Sequence, residues 1–111
     1  MRIMETPWGP SQFISPATGP NGEDEGVVFV TTARHGGYKV PPELNQRIID
    51  KFFSAHISRS DWSSDMRLGW YEEDCHWCYV CLTFPHLFPA AAQIAAADLL
   101  FWLSKENRKE E

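Results

Sequence analysis

The chain has 111 residues, of which 43% are apolar and 14% aromatic, and its 15 acidic and 10 basic residues give a net charge of −5. This length and composition suit one folded domain, residues 1–111, with a core that needs no metal or disulfide. The acidic balance argues against direct contact with nucleic acid and favours a basic protein partner, because nucleic-acid-binding proteins carry a basic face.

Two further features bear on where the protein works. No apolar run reaches the ~18 residues that a membrane helix requires, and the opening residues MRIMETPWGP contain no hydrophobic signal sequence. The three cysteines fall within seven residues, which is typical of reduced thiols rather than of a disulfide framework. We therefore expect a cytoplasmic protein without membrane contact, present as a monomer or a homodimer.

Turn-forming residues dominate the first 26 positions, which leave room for one short strand at about Ser11 to Ser15. Asn21-Gly22 is a dipeptide typical of a hairpin turn. The β-branched and aromatic run VVFVTT, Val27 to Thr32, is the clearest strand in the sequence. Trp8, between a proline and a glycine, is expected to lay its ring over the edge of the core.

The next segment combines a double glycine with a helix signal. His35-Gly36-Gly37 is expected to form a tight connection between two strands, followed by a third short strand at Tyr38 to Val40. Pro42 suits the first turn of a helix. Apolar residues then recur at helical spacing and predict a helix from Glu43 to about Ala55: Leu44, Ile48, Ile49, Phe52 and Phe53.

The stretch from Gly69 to Pro89 concentrates cysteine, tryptophan, tyrosine and acidic residues, and it follows a polar loop, Ser58 to Ser64, that carries Trp62. If the segment is a helix, its spacing places four residues on a single apolar face: Cys75, Cys78, Tyr79 and Leu82. If it is a strand, it would be buried on both faces. The acids at 72–74 favour the helix, because negative charge is stabilised in a first helical turn. In either conformation the segment is predicted to lie in the core.

Ala90 to Ser104 is alanine-rich and predicts a strong helix. Its expected buried side carries Ile94, Ala97, Leu100, Phe101 and Leu103 or Ser104, and the last seven residues are expected to fray. Strands in the N-terminal half and helices in the C-terminal half predict an α+β fold. We expect a small antiparallel sheet of about three strands packed against two or three helices.

The cysteines and the histidines near them suggest a zinc site. The candidate ligands are Cys75, His76, Cys78, Cys81 and His86. A structural zinc site draws four ligands from two tight turns. These thiols instead lie in one apolar segment without a glycine, and free cysteine behaves as a small buried hydrophobe. We therefore expect core packing, with no metal and no cofactor.

Two arrangements suggest catalysis. Cys75 and His35 have the residue types of a thiol nucleophile and its base, but the acids beside Cys75 are expected to raise the pKa of its thiol. The His35-Gly36-Gly37 segment is similar to an oxyanion or phosphate loop but lacks the flanking motif that makes such loops specific. The sequence therefore favours a non-enzymatic protein.

The run Glu72-Glu73-Asp74 suggests a cation or acid–base site. In a helix, adjacent side chains point about 100° apart, so no two of these carboxylates are expected to share one ion. We expect instead that they form a contact surface for basic side chains, together with Glu23, Asp24 and Glu25. Trp62 and Trp8 are the candidate aromatic anchors for such a partner.

Three segments of the chain resemble one uncharacterised domain family of bacteria and phages: TPWGP at 6–10, FVTTARHGGYKV at 29–40 and GWYEEDCHWCYVCLTFPHLF at 69–88. The resemblance spans most of the chain. It implies a setting on plasmids, prophages and phages within a bacterial host cell, and it implies no catalytic residues. The chain departs from the family's pattern at Cys78 and Cys81, where small apolar residues such as alanine are expected.

The residues and the resemblance lead to two hypotheses. The first is a small acidic, non-enzymatic protein of a phage or mobile element that binds a host protein. Its sharpest form is an anti-CRISPR-like inhibitor that presents an acidic surface to a basic nucleic-acid-binding site. The second is a small enzyme or ligand-binding domain centred on His35, Tyr38 and Cys75, which requires these side chains to meet in one pocket.

Overall fold

The computed structural model describes residues 3–53 and 63–108, with side chains through residue 105. These residues form two antiparallel sheets and four α-helices. The fold is α+β, as predicted from the sequence. A small hairpin pairs β1 (Glu5–Thr6) with β2 (Gly9–Pro10). The main sheet has the order β3-β4-β5-β6, with strands at Phe13–Thr18, Asp24–Thr31, Gly36–Lys39 and Trp70–Glu72. The helices are α1 (Pro42–Phe52), α2 (Ser64–Arg67), α3 (Trp77–Thr83) and α4 (Ala90–Arg108), and a 3₁₀ turn, Pro85–Leu87, joins the last two.

The strands of the N-terminal half follow the prediction with shifted ends. The run beginning at Val27 is strand as expected, and the hairpin between β3 and β4 contains Gly22 with a φ of +83°. The first predicted strand lies further along the chain, because β3 pairs with β4 through Pro16 and Thr18. Proline is tolerated there because β3 is an edge strand. The β1–β2 hairpin was not expected from the sequence.

The double glycine is not the turn between two strands, so that prediction is wrong. Gly36 and Gly37 lie inside β5 and pair with β4. The turn is the preceding segment, residues 32–35, in which the Thr32 backbone N–H donates to the His35 carbonyl over 2.9 Å. The hydroxyl of Thr32 donates to the same carbonyl over 2.7 Å and closes the turn.

The stretch from Gly69 to Pro89 divides into a strand, a turn and a helix. Residues 70–72 form β6, a fourth strand of the main sheet, because they pair with β5. The acids at 72–74 therefore do not occupy the first turn of a helix, and α3 begins only at Trp77. The predicted burial is confirmed, since Cys78, Val80 and Cys81 have no exposed surface. Helix α3 packs against α1, α4 and the strands β5 and β6, which places it at the centre of the molecule.

Helix α4 is rotated relative to the prediction. Its core side carries Ala92, Ala96, Leu99, Leu100 and Leu103. Three of the side chains predicted to be buried are exposed: Ile94, Ala97 and Phe101. The helix has apolar residues on both sides, so the sequence period alone could not tell which side faces α3. The helix also continues to Arg108, past the predicted end at Ser104.

Two expectations fall partly on residues 54–62, outside the described part of the chain. Helix α1 ends at Phe52, and the position predicted to end it, Ala55, lies in that gap. Trp62, a candidate anchor for a partner, lies there too. Within the described residues, no helix combines the length and the apolar character needed to cross a membrane.

Candidate functional site

One end of the main sheet brings together three segments that are distant in the sequence. Gly37 in β5 pairs with Glu72 in β6, and the Glu73 backbone N–H donates to the Gly36 carbonyl over 2.9 Å. The β1–β2 hairpin joins them, because the Thr32 hydroxyl lies 3.4 Å from the Trp8 carbonyl oxygen. The segments at 6–10, 32–37 and 72–75 therefore form one site. We call residues 72–74 within it the acidic corner.

Trp8 covers the face of the sheet that points away from the helices. Its ring packs edge-on against Trp70, with 5.7 Å between ring centroids. A side chain on Gly37 would place its Cβ 2.4 Å from the Trp8 ring and 2.4 Å from the Tyr71 carbonyl oxygen. Glycine is needed at this position because the tryptophan ring and the neighbouring strand approach so closely. The expectation that Trp8 lies over the edge of the core is thus replaced by a contact with the outer sheet face.

His35, Glu72 and Asp74 meet at this end of the sheet. One ligand atom from each lies within 4.8 Å of the other two, and the His35 Nδ1 lies 3.9 Å from a carboxylate oxygen of Asp74. The expectation that no two of the acids converge is therefore wrong, because it assumed helical geometry. In the observed strand and turn, Glu72 and Asp74 point to one side.

Glu73 points elsewhere. A Cβ on Gly36 would lie 2.9 Å from its carboxylate, so Glu73 leans over the Gly36 position. This carboxylate also helps to raise the pKa of Tyr38, after the larger effect of burial and the effect of Cys81. Glu73 is therefore outside the cluster of His35, Glu72 and Asp74, although it lies between two of them in the sequence.

The cluster has a composition that suits a divalent cation. Within residues 3–53 and 63–105, it is the one group of three or more histidine, cysteine or acidic side chains with ligand atoms this close. One imidazole and two carboxylates are ligands found around zinc, manganese and iron. The side chains of His35 and Asp74 are 47% and 71% exposed, so the cluster is open to solvent.

A cleft of about 510 Å³ lies beside the cluster. Its walls are residues 7–10 of the small hairpin and residues 32–35 of the β4–β5 turn, and His35 belongs to both the cleft and the cluster. Trp8 supplies an aromatic surface and Arg34 a positive charge. Sequence reasoning missed Arg34, whose only signal was its position next to His35.

Of the two residues proposed from the sequence as partners of His35, Cys75 adjoins the cluster through Glu72, whereas Tyr38 lies on the other side of the sheet. The Cys75 thiol donates to a Glu72 carboxylate oxygen over 3.9 Å, and burial together with Glu72 and Asp74 raises its pKa. Tyr38 lies opposite Tyr71 and packs against Phe29 and Phe88, with centroid distances of 4.9 and 5.5 Å. Because neighbouring strand residues face opposite sides, Tyr38 points away from the side that carries Glu72.

The remaining candidate zinc ligands have separate partners. The Cys78 thiol donates to the Cys75 carbonyl over 3.6 Å. The His76 ring lies near Tyr79, and burial lowers its pKa. His86 contacts the Glu25 carboxylate, at the opposite end of β4 from the acidic corner.

Only Cys75 is expected to react with iodoacetamide in the folded protein. Burial raises the pKa of Cys78 to about 12 and that of Cys81 to about 11, so both stay protonated thiols at neutral pH. The pKa of Cys75 is also raised, so its labelling should be slow at pH 7 and should keep accelerating above the ordinary thiol pKa. Mass spectrometry should find one label, none in Cys75→Ser, and three in urea. Rapid labelling at pH 7 would contradict the assigned environment.

The second acidic triplet is remote from the first. Asp24 begins β4, and the acidic corner lies beyond the other end of that strand, so the two are separated by roughly 20 Å. The triplet is also engaged locally: a Glu23 oxygen accepts from the Asn21 N–H over 3.0 Å, and an Asp24 oxygen accepts from the Gly26 N–H over 2.9 Å. The two triplets therefore form separate surfaces.

Comparison with known proteins identifies a family for the chain. No curated protein and no solved structure matches it. A family model described as a domain of unknown function, DUF7007, matches residues 1–108. Because this match covers nearly the whole chain, the protein belongs to the DUF7007 family.

Proposed function

We propose that this protein binds a basic protein partner through the acidic corner. The observation that carries the proposal is that Glu73 and Asp74 are exposed carboxylates, and that Asp74 approaches His35 at the edge of an open cleft with an aromatic wall. A lysine or arginine of a partner can form charge-assisted hydrogen bonds with the carboxylates. Its neighbours can pack against Trp8, since aromatic residues dominate the energetics of protein interfaces.

The proposed partner is a protein of the bacterial host, and the proposed setting is a phage or another mobile element. The family resemblance of the three sequence segments supports this setting. In its sharpest form the partner is a nucleic-acid-binding protein of a defence system, such as a CRISPR effector. An acidic surface can compete there with nucleic acid, because such channels are lined by lysine and arginine.

Neutralising the acidic corner is expected to reduce capture of the partner from host lysate about tenfold, the effect of losing two charged contacts worth ~0.7 kcal/mol each. The test variant is Glu73→Gln with Asp74→Asn. The control is Glu43→Gln with Asp65→Asn, which has the same net charge but changes exposed acids on α1 and α2. Equal capture by both variants would contradict the proposal. A Trp62→Ala variant tests the second predicted anchor in the same experiment.

A second candidate function is cation-dependent ligand binding, and it replaces the sequence hypothesis of a site at His35, Tyr38 and Cys75. The convergence of His35 with Glu72 and Asp74 favours it. Three protein ligands leave coordination positions free for a small molecule, and Arg34 in the adjacent cleft can bind an anionic group of that molecule. The cation would then contact the ligand directly.

Manganese or zinc is expected to raise the melting temperature of the wild-type protein by several degrees, because a cation at about 100 times its dissociation constant adds about 2.7 kcal/mol. His35→Ala, Glu72→Gln and Asp74→Asn should each abolish the increase. Glu73→Gln is the matched control, since this acid lies in the same turn but outside the cluster, and it should retain the increase. An increase that survives His35→Ala would place the cation elsewhere and contradict this candidate.

A further inference from the structure

Helix α4 exposes large apolar side chains along the side that faces away from the core. Ile94, Phe101 and Trp102 are 67%, 71% and 60% exposed. Their spacing of seven and eight residues puts them on one side of the helix, opposite Ala96 and Leu103. A helix that is apolar on both sides is normally covered on both sides, and a cluster of exposed apolar residues marks an interaction surface.

Two opposite charges lie on the same side of α4. Asp98 and Lys105 are exposed, and neither forms an ion pair within the part of the chain whose side chains are described. Asp98 precedes Phe101 by three residues, and Lys105 follows Trp102 by three residues. Along the helix, the charges therefore flank the two aromatic residues symmetrically: the negative charge lies towards the N-terminal end and the positive charge towards the C-terminal end.

We propose that a second copy of this chain covers the exposed side of α4, with the two helices antiparallel and a two-fold axis between positions 101 and 102. This arrangement sets Phe101 against Trp102 of the second copy. It also sets Asp98 against Lys105 of the second copy, and symmetry forms each contact twice. The surface is self-complementary, which is the property that a two-fold homodimer requires.

The charges distinguish this arrangement from the alternatives. A parallel pair of helices would place Asp98 against the same residue of the second copy, and Lys105 likewise, and like charges in contact are unfavourable. An antiparallel pair centred on Asp98 would also bring the two aspartates together. The antiparallel arrangement centred between the aromatic residues is the one that joins opposite charges.

The exposed surface is large enough to contribute substantially to a dimer. With this axis, Phe101 and Trp102 lie at the centre of the contact and together expose roughly 250 Å² per copy, given the 150–250 Å² of a large aromatic side chain. A typical interface buries about 800 Å² on each partner, so these two residues supply about a third of it. Exposed alanines at 95 and 97, which would face positions 108 and 106 of the second helix, allow the second copy to approach closely. The surface lies on a different element from the acidic corner, so dimerisation and partner binding can fail independently.

Light scattering on the size-separated protein is expected to give twice the 12.7 kDa mass of one chain. Asp98→Lys and Lys105→Asp should each raise the dimer dissociation constant at least tenfold, because each puts like charges together at two places. The double variant, Asp98→Lys with Lys105→Asp, restores opposite charges and should restore the dimer. Phe101→Glu should be monomeric. Phe13→Glu, a change at a 72% exposed position on β3, should remain dimeric.

Circular dichroism separates loss of the dimer from loss of the fold, since all these positions are on the surface. A protein that remains monomeric at every concentration would overturn the proposal. A dimer that survives Phe101→Glu would overturn it as well, because the interface would then lie elsewhere. A double charge variant that stays as weak as the single variants would exclude the antiparallel arrangement.

Discussion

Replacing Asn45 with leucine is expected to lower the free energy of unfolding by about 3 kcal/mol. Asn45 on α1 is only 3% exposed. Its Nδ2 donates to the carbonyls of Met66 and Arg67 over 3.0 and 3.2 Å, and its Oδ1 accepts from the hydroxyl of the fully buried Tyr71. Leucine fills a similar volume but satisfies none of these groups, and each buried group left without a partner costs about 1–3 kcal/mol.

Urea unfolding measures this loss, and a double-mutant cycle assigns it to the hydrogen bonds. Tyr71→Phe removes the hydroxyl without leaving it unsatisfied, so it should cost about 1 kcal/mol. In the double variant, Tyr71→Phe has already removed the hydroxyl that Asn45→Leu would leave unsatisfied. Asn45→Leu should therefore lower the free energy of unfolding by less in the Tyr71→Phe protein than in the wild type. A loss below about 1 kcal/mol for Asn45→Leu would show that the network joining α1, α2 and β6 contributes little.

Gly37→Ala is expected to cost about 3 kcal/mol, the upper range for forcing extra volume into a packed region. The added Cβ would lie 2.4 Å from both the Trp8 ring and the Tyr71 carbonyl oxygen. The ring can move away, but the carbonyl belongs to β6 and cannot move without disturbing its pairing with β5. The variant should therefore also weaken the site, because Trp8 would lose its position on the sheet.

Gly22→Ala is the matched control for this steric effect. Gly22 has a φ of +83°, but a Cβ there would meet no atom within 4 Å. Its substitution should therefore cost only about 1 kcal/mol, from the unfavourable backbone conformation. Urea unfolding compares the two variants, and near-ultraviolet circular dichroism follows the Trp8–Trp70 contact. Equal losses for the two variants would show that the close approach at Gly37 is not what requires glycine.

The sequence predicts elements whose residues carry a local signal. Strand β4 is rich in β-branched residues, and α1 and α4 have helical composition, so their existence followed from pattern alone. Strand β6 has three residues and is a strand because Tyr71 and Glu72 pair with β5, which lies more than thirty positions earlier. No local pattern contains that pairing. The acids next to it were therefore assigned to a helix.

The same reasoning applies to the exposed side of α4. Apolar residues occur around the whole helix, so periodicity could not decide whether Phe101 or Leu99 faces the core. Packing against α3 decides it and leaves Phe101 outside. The error is informative, because a helix whose buried side cannot be predicted is a helix with two apolar sides.

The candidate site was visible in the sequence as separate residues. His35, Trp8 and the acidic corner were each identified, but as parts of different features. Their convergence depends on the register of β5 with β6 and on the small hairpin, whose two-residue strands have no sequence signature. Sequence analysis therefore identified most of the groups but not the site that they form.

The most direct test of the proposed function is the affinity of the purified, captured partner for three forms of the protein. These are the wild type, the acidic-corner variant Glu73→Gln with Asp74→Asn, and the control Glu43→Gln with Asp65→Asn. We expect the acidic-corner variant to bind about tenfold more weakly than the other two, with a smaller dependence on salt, because screened charge pairs are lost. Equal affinity and equal salt dependence for all three forms would show that the partner binds elsewhere.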